Sequence, residues 1–282
     1  MNDAQNSTTR ADDRPTILVT NDDGIESLGL RAVVEALAPL GRITVIAPDR
    51  NRSGVSRSIT LGQMLQVVEH EIEHAEVAFA TDGTPTDCVR LAILGLAGTP
   101  PDLVVSGANL GLNVGDDVAY SGTVSAAFDA AMNGIPAVAI SQQSLLREMG
   151  YPRHADFDYR AMQAFIPGLV REVWERRAEH PSGLVVNVNV PGCQSSEIPG
   201  VEIGGLGRRI YRDKLERRPD VDGRRRYDLY GDDPEHHADE VGTDIAAIGR
   251  GNIAVTPLRF NAHDPAEIAA LSTWGLSVVN PG

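Results

Sequence analysis

Short apolar runs rich in β-branched residues recur along this chain, and helical spacing fills the gaps between them. Ile17–Thr20 is the first such run. Leu30, Val33, Val34 and Leu37 follow at helical intervals, with Gly41 as the stop. Ile43–Ala47 comes next and ends at Pro48-Asp49, and Val77–Ala80 then precedes a helix expected over Asp87–Leu96. Asp102–Ser106, Ala137–Ser141 and Val185–Val190 are further strand candidates. Between the first two lies the alanine-rich helix Thr123–Met132, stopped by Gly134. Arg160–Arg177 is a helix that Pro167-Gly168 should kink or break. Strands that are apolar throughout, alternating with helices, imply a parallel sheet buried on both faces. The expectation is therefore an α/β fold, with a mostly parallel sheet and helices on both sides. In such sheets, ligands bind beyond the carboxyl ends of the strands.

That rule gives meaning to Thr20-Asn21-Asp22-Asp23-Gly24 at the end of the first strand. Two adjacent carboxylates on a solvated turn would mean little. At a buried strand end they concentrate negative charge, which is unfavourable without a counter-charge. Three other segments near strand ends carry unusual polar text: PDRNRSGVSRS, GANLGLNVGDD and AYSGTVSAAFDAA. Ser53 and Asn109 could add a hydroxyl and an amide oxygen to Asp22 and Asp23, a donor set suited to a hard divalent cation such as Mg²⁺ or Mn²⁺. The alternative for the acidic pair is a solvated turn or a helix cap. Ser121-Gly122-Thr123 opens the alanine-rich helix, where backbone N–H groups and hydroxyls form an anion site. Capping by Ser121 or Thr123 is the plainer reading. Arg50 and Arg52 could also face a phosphate.

Other strings are set aside on context. His70-Glu71-Ile72-Glu73-His74 spells HExxH, which binds zinc only on a helix, whereas its flanks alternate in polarity like a charged edge strand or hairpin. GANLGLNVG is not GxGxxG, and Gly249–Ala254 fits the looser GxGxxA but leads into a strand. No GxxxxGK[ST] or GxSxG occurs. The net charge of −14 argues against nucleic-acid polymers and anionic membranes as partners. No run approaches the length of a membrane span. Cys88 and Cys193 lie far apart and fit no metal or redox spacing, so a cytoplasmic location is expected.

Residues 1–14 are expected to form a disordered tail and 15–203 the α/β core. Residues 204–250 change character: nine Lys or Arg fall between Arg208 and Arg226, and an acidic stretch runs from Asp228 to Asp244. This excursion reads as a mobile loop from composition alone or as an extended hairpin arm that reaches a second subunit, and 251–282 as a returning strand (Asn252–Leu258) and a helix near Glu267–Trp274.

NDDG, APDRNRSG, GTPTDCV (Gly83–Val89), VSGAN (Val105–Asn109), GDD (Gly115–Asp117) and YSGTVSAA (Tyr120–Ala127) occur in that order over residues 16–141. In order and spacing they resemble the survival protein SurE family, and Gly242-Thr243-Asp244 is similar to the family's late segment. The resemblance implies a Rossmann-like phosphohydrolase of nucleoside 5′- or 3′-monophosphates, with one divalent metal on Asp22, Asp23, Ser53 and Asn109. Asp22 or Asp23 would also be catalytic, orienting the attacking water. Gly54 and Asn113 join Ser121, Gly122 and Thr123 as expected phosphate contacts. The resemblance also implies a homodimer or homotetramer, assembled partly through such an arm. A broad acid phosphatase or short-chain polyphosphatase, or a nucleotide-binding module without turnover, are the alternatives. Ser27-Leu28-Gly29 stands where the family commonly has Ala-Pro-Gly, and Leu112 stands where a proline often precedes the second asparagine. Both departures bear on substrate preference.

Overall fold

The computed structural model describes residues 14–150, 156–180, 183–210, 214–229, 235–236, 240–260 and 264–274. Nearly all of the tail expected at 1–14 lies outside that range. The expected strands form: β1 (Thr16–Thr20), β2 (Arg42–Pro48), β4 (Val77–Thr81), β5 (Leu103–Leu110), β6 (Ala137–Gln142), β7 (Val185–Val190) and β13 (Ile253–Leu258). With β3 (Val67–His70) and β8 (Val201–Ile203) they make one nine-stranded sheet, in the order β3-β4-β2-β1-β5-β6-β7-β13-β8. Strands β4 through β7 in that order are parallel, while β3 and β13 each pair antiparallel with an inner neighbour.

Helices α1 (Leu28–Leu37) and α4 (Arg160–Glu175) cover one face. There Leu30, Val33, Met162 and Ile166 meet Val19, Val45 and Val105. Helices α2 (Pro85–Ile93) and α3 (Gly122–Met132) cover the other, where Val89, Ala92, Val124 and Ala127 meet Leu18, Ile46 and Val104. Residues alternating along β1 thus serve opposite layers. Helix α4 runs through Pro167 without a break. Its apolar face, with Met162, Ile166, Val170 and Val173 buried, outweighs the one hydrogen bond that proline forfeits. Helix α2 begins earlier than its apolar pattern suggests. Thr84 and Asp87 close a capping box there, and Pro85 occupies the first turn.

The HExxH string does not form a helix. His70 ends edge strand β3, and His74 sits in the following turn at φ +69°.

The charged excursion forms two small sheets. β10 (Glu216–Val221) and β11 (Arg224–Asp228) make an antiparallel hairpin whose residues are all exposed. β9 (Arg209–Ile210) pairs with β12 (Glu235–His236). Composition draws this excursion out to residue 250, but the packing ends it sooner. Helix α5 (Asp244–Gly249) buries Ile245, Ala247 and Ile248 against Leu112, Val114 and Ala254. Acidic neighbours mask that short apolar stretch in the sequence. Helix α6 (Pro265–Leu271) buries none of its residues.

Candidate metal and phosphate site

The parallel strands all end at one edge of the sheet. Chain order reverses at β1, which lies between β2 and β5, and such a switch point is where open α/β sheets bind ligands. The turn after β1 is closed by Asn21. Its side chain accepts from Gly24 N–H at 3.2 Å and donates to Gly24 O at 3.0 Å. Gly24 takes φ +104°, a conformation that other residues rarely adopt. This clamp fixes the two carboxylates between its ends.

Asp22 is 2% exposed. Thr123 Oγ1 donates to Asp22 Oδ1 at 2.6 Å, and Thr123 N–H donates to Oδ2 at 3.2 Å. Gly122 is required beside it, since a Cβ there would lie 2.8 Å from the Asp22 carboxylate. Asp23 Oδ2 accepts from Leu110 N–H at 3.0 Å, and its Oδ1 accepts from Asn51 Nδ2 at 3.3 Å. Burial raises the pKa of Asp22 against the opposing pull of Thr123. Burial, and then the charge of Asp22, push Asp23 up to about 7, opposed by the Leu110 N–H. Among the described residues neither carboxylate forms an ion pair.

Asn109 lies in the last paired stretch of β5, beyond a register shift between Ser106 and Asn109. Gly107 supplies that irregularity, because at φ +141° it passes so close to Ile140 O that a Cβ would sit 2.3 Å away. Asn109 donates Nδ2 to Gly111 O at 2.9 Å, which turns its Oδ1 toward the pair, 3.5 Å from Thr123 Oγ1. Ser53 stands on the loop after β2, and its N–H donates to Asn51 Oδ1 at 2.8 Å. Asn51 therefore links Ser53 to Asp23. Sequence reasoning passed over Asn51, although Asn two residues before Ser is a common turn-closing pattern.

The phosphate-side residues divide into two groups. Ser121 is the N-cap of α3, accepting from Val124 N–H at 3.1 Å, so the cap belongs to Ser121 and Thr123 is left free to hold Asp22. Gly54 takes φ +74° in open space. Asn113 is tied down in a buried polar net. Its N–H donates to Asn189 Oδ1 at 2.8 Å, its Nδ2 donates to Ser141 Oγ at 2.8 Å, and its carbonyl accepts from Asn187 and Asn189. Arg52 is committed elsewhere, with its guanidinium on Asp82 O and its N–H on Asp22 O at 2.6 Å. Arg50 is exposed beside Asp49. Gly29 is required where α1 meets β5, since a Cβ would lie 2.2 Å from Ala108 O, whereas the neighbouring Leu28 is exposed.

The donor set fits a hard divalent cation. Two carboxylates without a cationic partner among the described residues supply the charge, the Asn109 amide oxygen lies beside Thr123, and Ser53 is tied to Asp23 through Asn51. Among the described residues no three His, Cys, Asp or Glu gather as a metal cluster, so the site depends on neutral oxygens as well.

Fold and site together define an α/β protein that sets a buried acidic pair against the N-terminus of a helix. The family model described as "Survival protein SurE" matches residues 17–213. A 5′-nucleotidase SurE from Geobacter sulfurreducens is 44% identical over 265 residues, 94% of this chain and 95% of that protein. A 5′-nucleotidase SurE from Rubrobacter xylanophilus is 41% identical over 261 residues, 92% of this chain and 97% of that protein. The crystal structure of the SurE protein from Aquifex aeolicus superposes with a TM-score of 0.73 at 35% identity, covering 92% of this chain and all of that one. The chain belongs to the SurE family.

Proposed function

We propose that the protein is a 5′-nucleotidase, a phosphohydrolase that releases phosphate from nucleoside 5′-monophosphates and also accepts 3′-monophosphates. One observation carries this reading. Asp22, on the cation side, is held at 2.6 Å by Thr123, which opens the helix on the anion side. Cation and phosphate sites are thereby joined in one buried unit.

Asp22, Asp23, Ser53 and Asn109 hold a single divalent cation, Mg²⁺ or Mn²⁺. When bound, that cation neutralises phosphoryl charge and favours attack by water. Thr123 keeps Asp22 oriented, and Asn51 keeps Asp23 and Ser53 in register. The first turn of α3, at Ser121 and Gly122, offers backbone donors to the phosphoryl oxygens as charge develops in the transition state. Gly54 leaves room for the phosphate, and Asn113 borders it from the loop after β5. Either carboxylate can accept the water's proton while the other holds charge.

Assembly as a homodimer or homotetramer through the excursion at 208–242 is part of the same reading. The exposed charged hairpin, with little core of its own, supports it. A cytoplasmic location accords with two free cysteines, both buried. Among the described residues no helix is long and apolar enough to cross a membrane.

Phosphate release from a panel of nucleoside monophosphates, with EDTA and with added Mg²⁺ or Mn²⁺, tests the proposal. Metal-dependent release from 5′-monophosphates is expected. Release from short polyphosphate alone would favour the broader phosphatase, and nucleotide binding without release would favour the module without turnover.

A further inference from the structure

Asp244 has no role in the chemistry above, yet its carboxylate is 1% exposed and ties three segments together. Oδ2 accepts from Gly115 N–H at 2.9 Å. Oδ1 accepts from Gly207 N–H at 2.7 Å and from Ile245 N–H at 2.8 Å. Gly115 opens the short 3₁₀ turn Gly115–Ala119, which delivers Tyr120 and then Ser121, the cap of α3. Gly207 lies on the outgoing limb of the charged excursion, and Asp244 lies where the excursion returns. The two limbs are stitched at their root, with Gly205 N–H on Gly242 O and Asp244 N–H on Gly205 O, both at 2.9 Å.

A second contact from the same root grips the same turn. Arg209 N–H donates to Asp116 Oδ2 at 2.9 Å, and its buried guanidinium lies 3.1 Å from Asp117 Oδ2. The approach is close: Gly115 takes φ +54°, and a Cβ there would lie 2.6 Å from Gly207 O. From the opposite side, Ser56 of the loop that carries Ser53 donates Oγ to Ala119 O at 2.8 Å and N–H to Tyr120 O at 3.2 Å. The turn is therefore clasped between the metal-side loop and the root of the excursion. Only Tyr120, Ser121 and Gly122 separate it from Thr123, whose hydroxyl holds Asp22.

We propose that Asp244 is a positioning residue for the phosphate side of the site, acting through the Gly115 N–H on the first turn of α3. This deepens the proposed function and rests on it. A carboxylate is needed because all its bonds come from N–H donors. An amide at this position would set an NH₂ group against either Gly115 or the Gly207–Ile245 pair. Displacement of the turn by a fraction of an ångström moves the helix terminus relative to Asp22, and small errors in alignment weigh heavily on turnover. Asp22 and the Ser53 loop feel the shift only through Thr123 and Ser56, so the phosphate side is disturbed more than the acidic pair.

The test is Asp244→Asn in the full chain, assayed well below its unfolding midpoint with AMP as substrate. A fall in kcat of about 10-fold, equivalent to about 1.4 kcal/mol, is expected. Inorganic phosphate should bind more weakly in the presence of Mn²⁺ by calorimetry, by a larger factor than any change in Mn²⁺ affinity. A folded variant with parental kcat and parental phosphate affinity overturns the proposal, because a merely structural residue would alter only the unfolding midpoint. If Asp244→Asn does not fold, Asp117→Asn decides. It spares Asp244 and loosens the grip of Arg209, so a smaller fall in kcat at an unchanged midpoint supports the inference, and parental kcat overturns it. A parent inactive on every nucleotide would count against the proposed function, and phosphate calorimetry on parent and variant still tests this inference.

Discussion

The acidic pair after β1 and the hairpin β10–β11 are both dense in charge, and they handle it in opposite ways. Asp22 and Asp23 carry like charges, are withdrawn from water and are held by neutral donors: Thr123, Leu110 and Asn51. The hairpin carries opposite charges in the open. Arg218 lies 2.5 Å from Asp228 and 3.3 Å from Glu216, and Arg217 lies 3.0 Å from Asp220. Water screens the second arrangement, so each pair adds little. The first stores an unmet electrostatic demand, which is what a binding site requires. Unpaired charge in a buried place marks function more clearly than paired charge on a surface.

The largest effect that could break this comparison is on turnover. Asp23→Asn keeps the shape and removes one charge, so phosphatase activity at limiting metal should fall by at least ~10². Parental turnover in that assay would remove Asp23 from the site. Thr123→Val should cost roughly 10-fold in kcat/KM, since a charge-assisted hydrogen bond contributes about 1.5–3 kcal/mol. Because Ser121 is the cap of α3, the unfolding midpoint should move less than the kinetics. A change confined to stability would return Thr123 to a structural role.

The next effect concerns pH in the metal-free protein. Asp23 binds its proton more tightly in the folded state, about 7 against an ordinary 3.8. Between those values the folded chain keeps a proton that the unfolded chain releases. This contribution to stability is therefore full below the ordinary carboxylate range and is lost as pH rises toward about 7. In EDTA, the unfolding midpoint of the parent relative to Asp23→Asn should drop from pH 5 to pH 8, and saturating Mg²⁺ should abolish the drop. An unchanged difference between the two proteins would contradict the account of buried charge.

Smaller still is the expected effect of excising the hairpin. Replacing residues 214–229 with a short Gly/Ser link spares Gly207, Arg209 and Asp244, so metal binding should persist and turnover per chain should stay near the parent. Light scattering should report fewer chains per particle, and an unchanged particle would show that assembly uses another surface. Last, Arg218→Ala should leave the unfolding midpoint of the parent within measurement error. A clear loss would mean that the hairpin's charges are less exposed than the single chain shows.

Most of the fold was legible because its strands are apolar throughout and its helices keep a clear period, as Val19 and Leu30 illustrate. The site was legible where its residues closely follow such strands, as Asp22 follows β1. Elsewhere, tertiary packing overrode the local signal. Asn109 lies inside β5, because the irregularity at Gly107 lets pairing resume at Ser141 and carries the strand past its apolar run. The cap of α3 required the structure, since Ser121 and Thr123 are equally good candidates by type. Helix α5 was hidden by the acidic text around it, and the partners of Asp244, one of them 129 residues away, have no signature along the chain.

The long reach of these contacts also orders events during synthesis. Thr123 meets Asp22 across 101 residues, and Asp244 meets Gly115 across 129. A chain emerging from its N-terminus can pair β1 with β2 early, but the acidic pair gains its helix only after α3 has been made. The pin on Gly115 arrives later still, near the end of translation. Contacts so distant in sequence form slowly, after loop-closure entropy has been overcome. The partly made chain therefore carries its acidic pair without the helix that orients it until α3 has been made and docked.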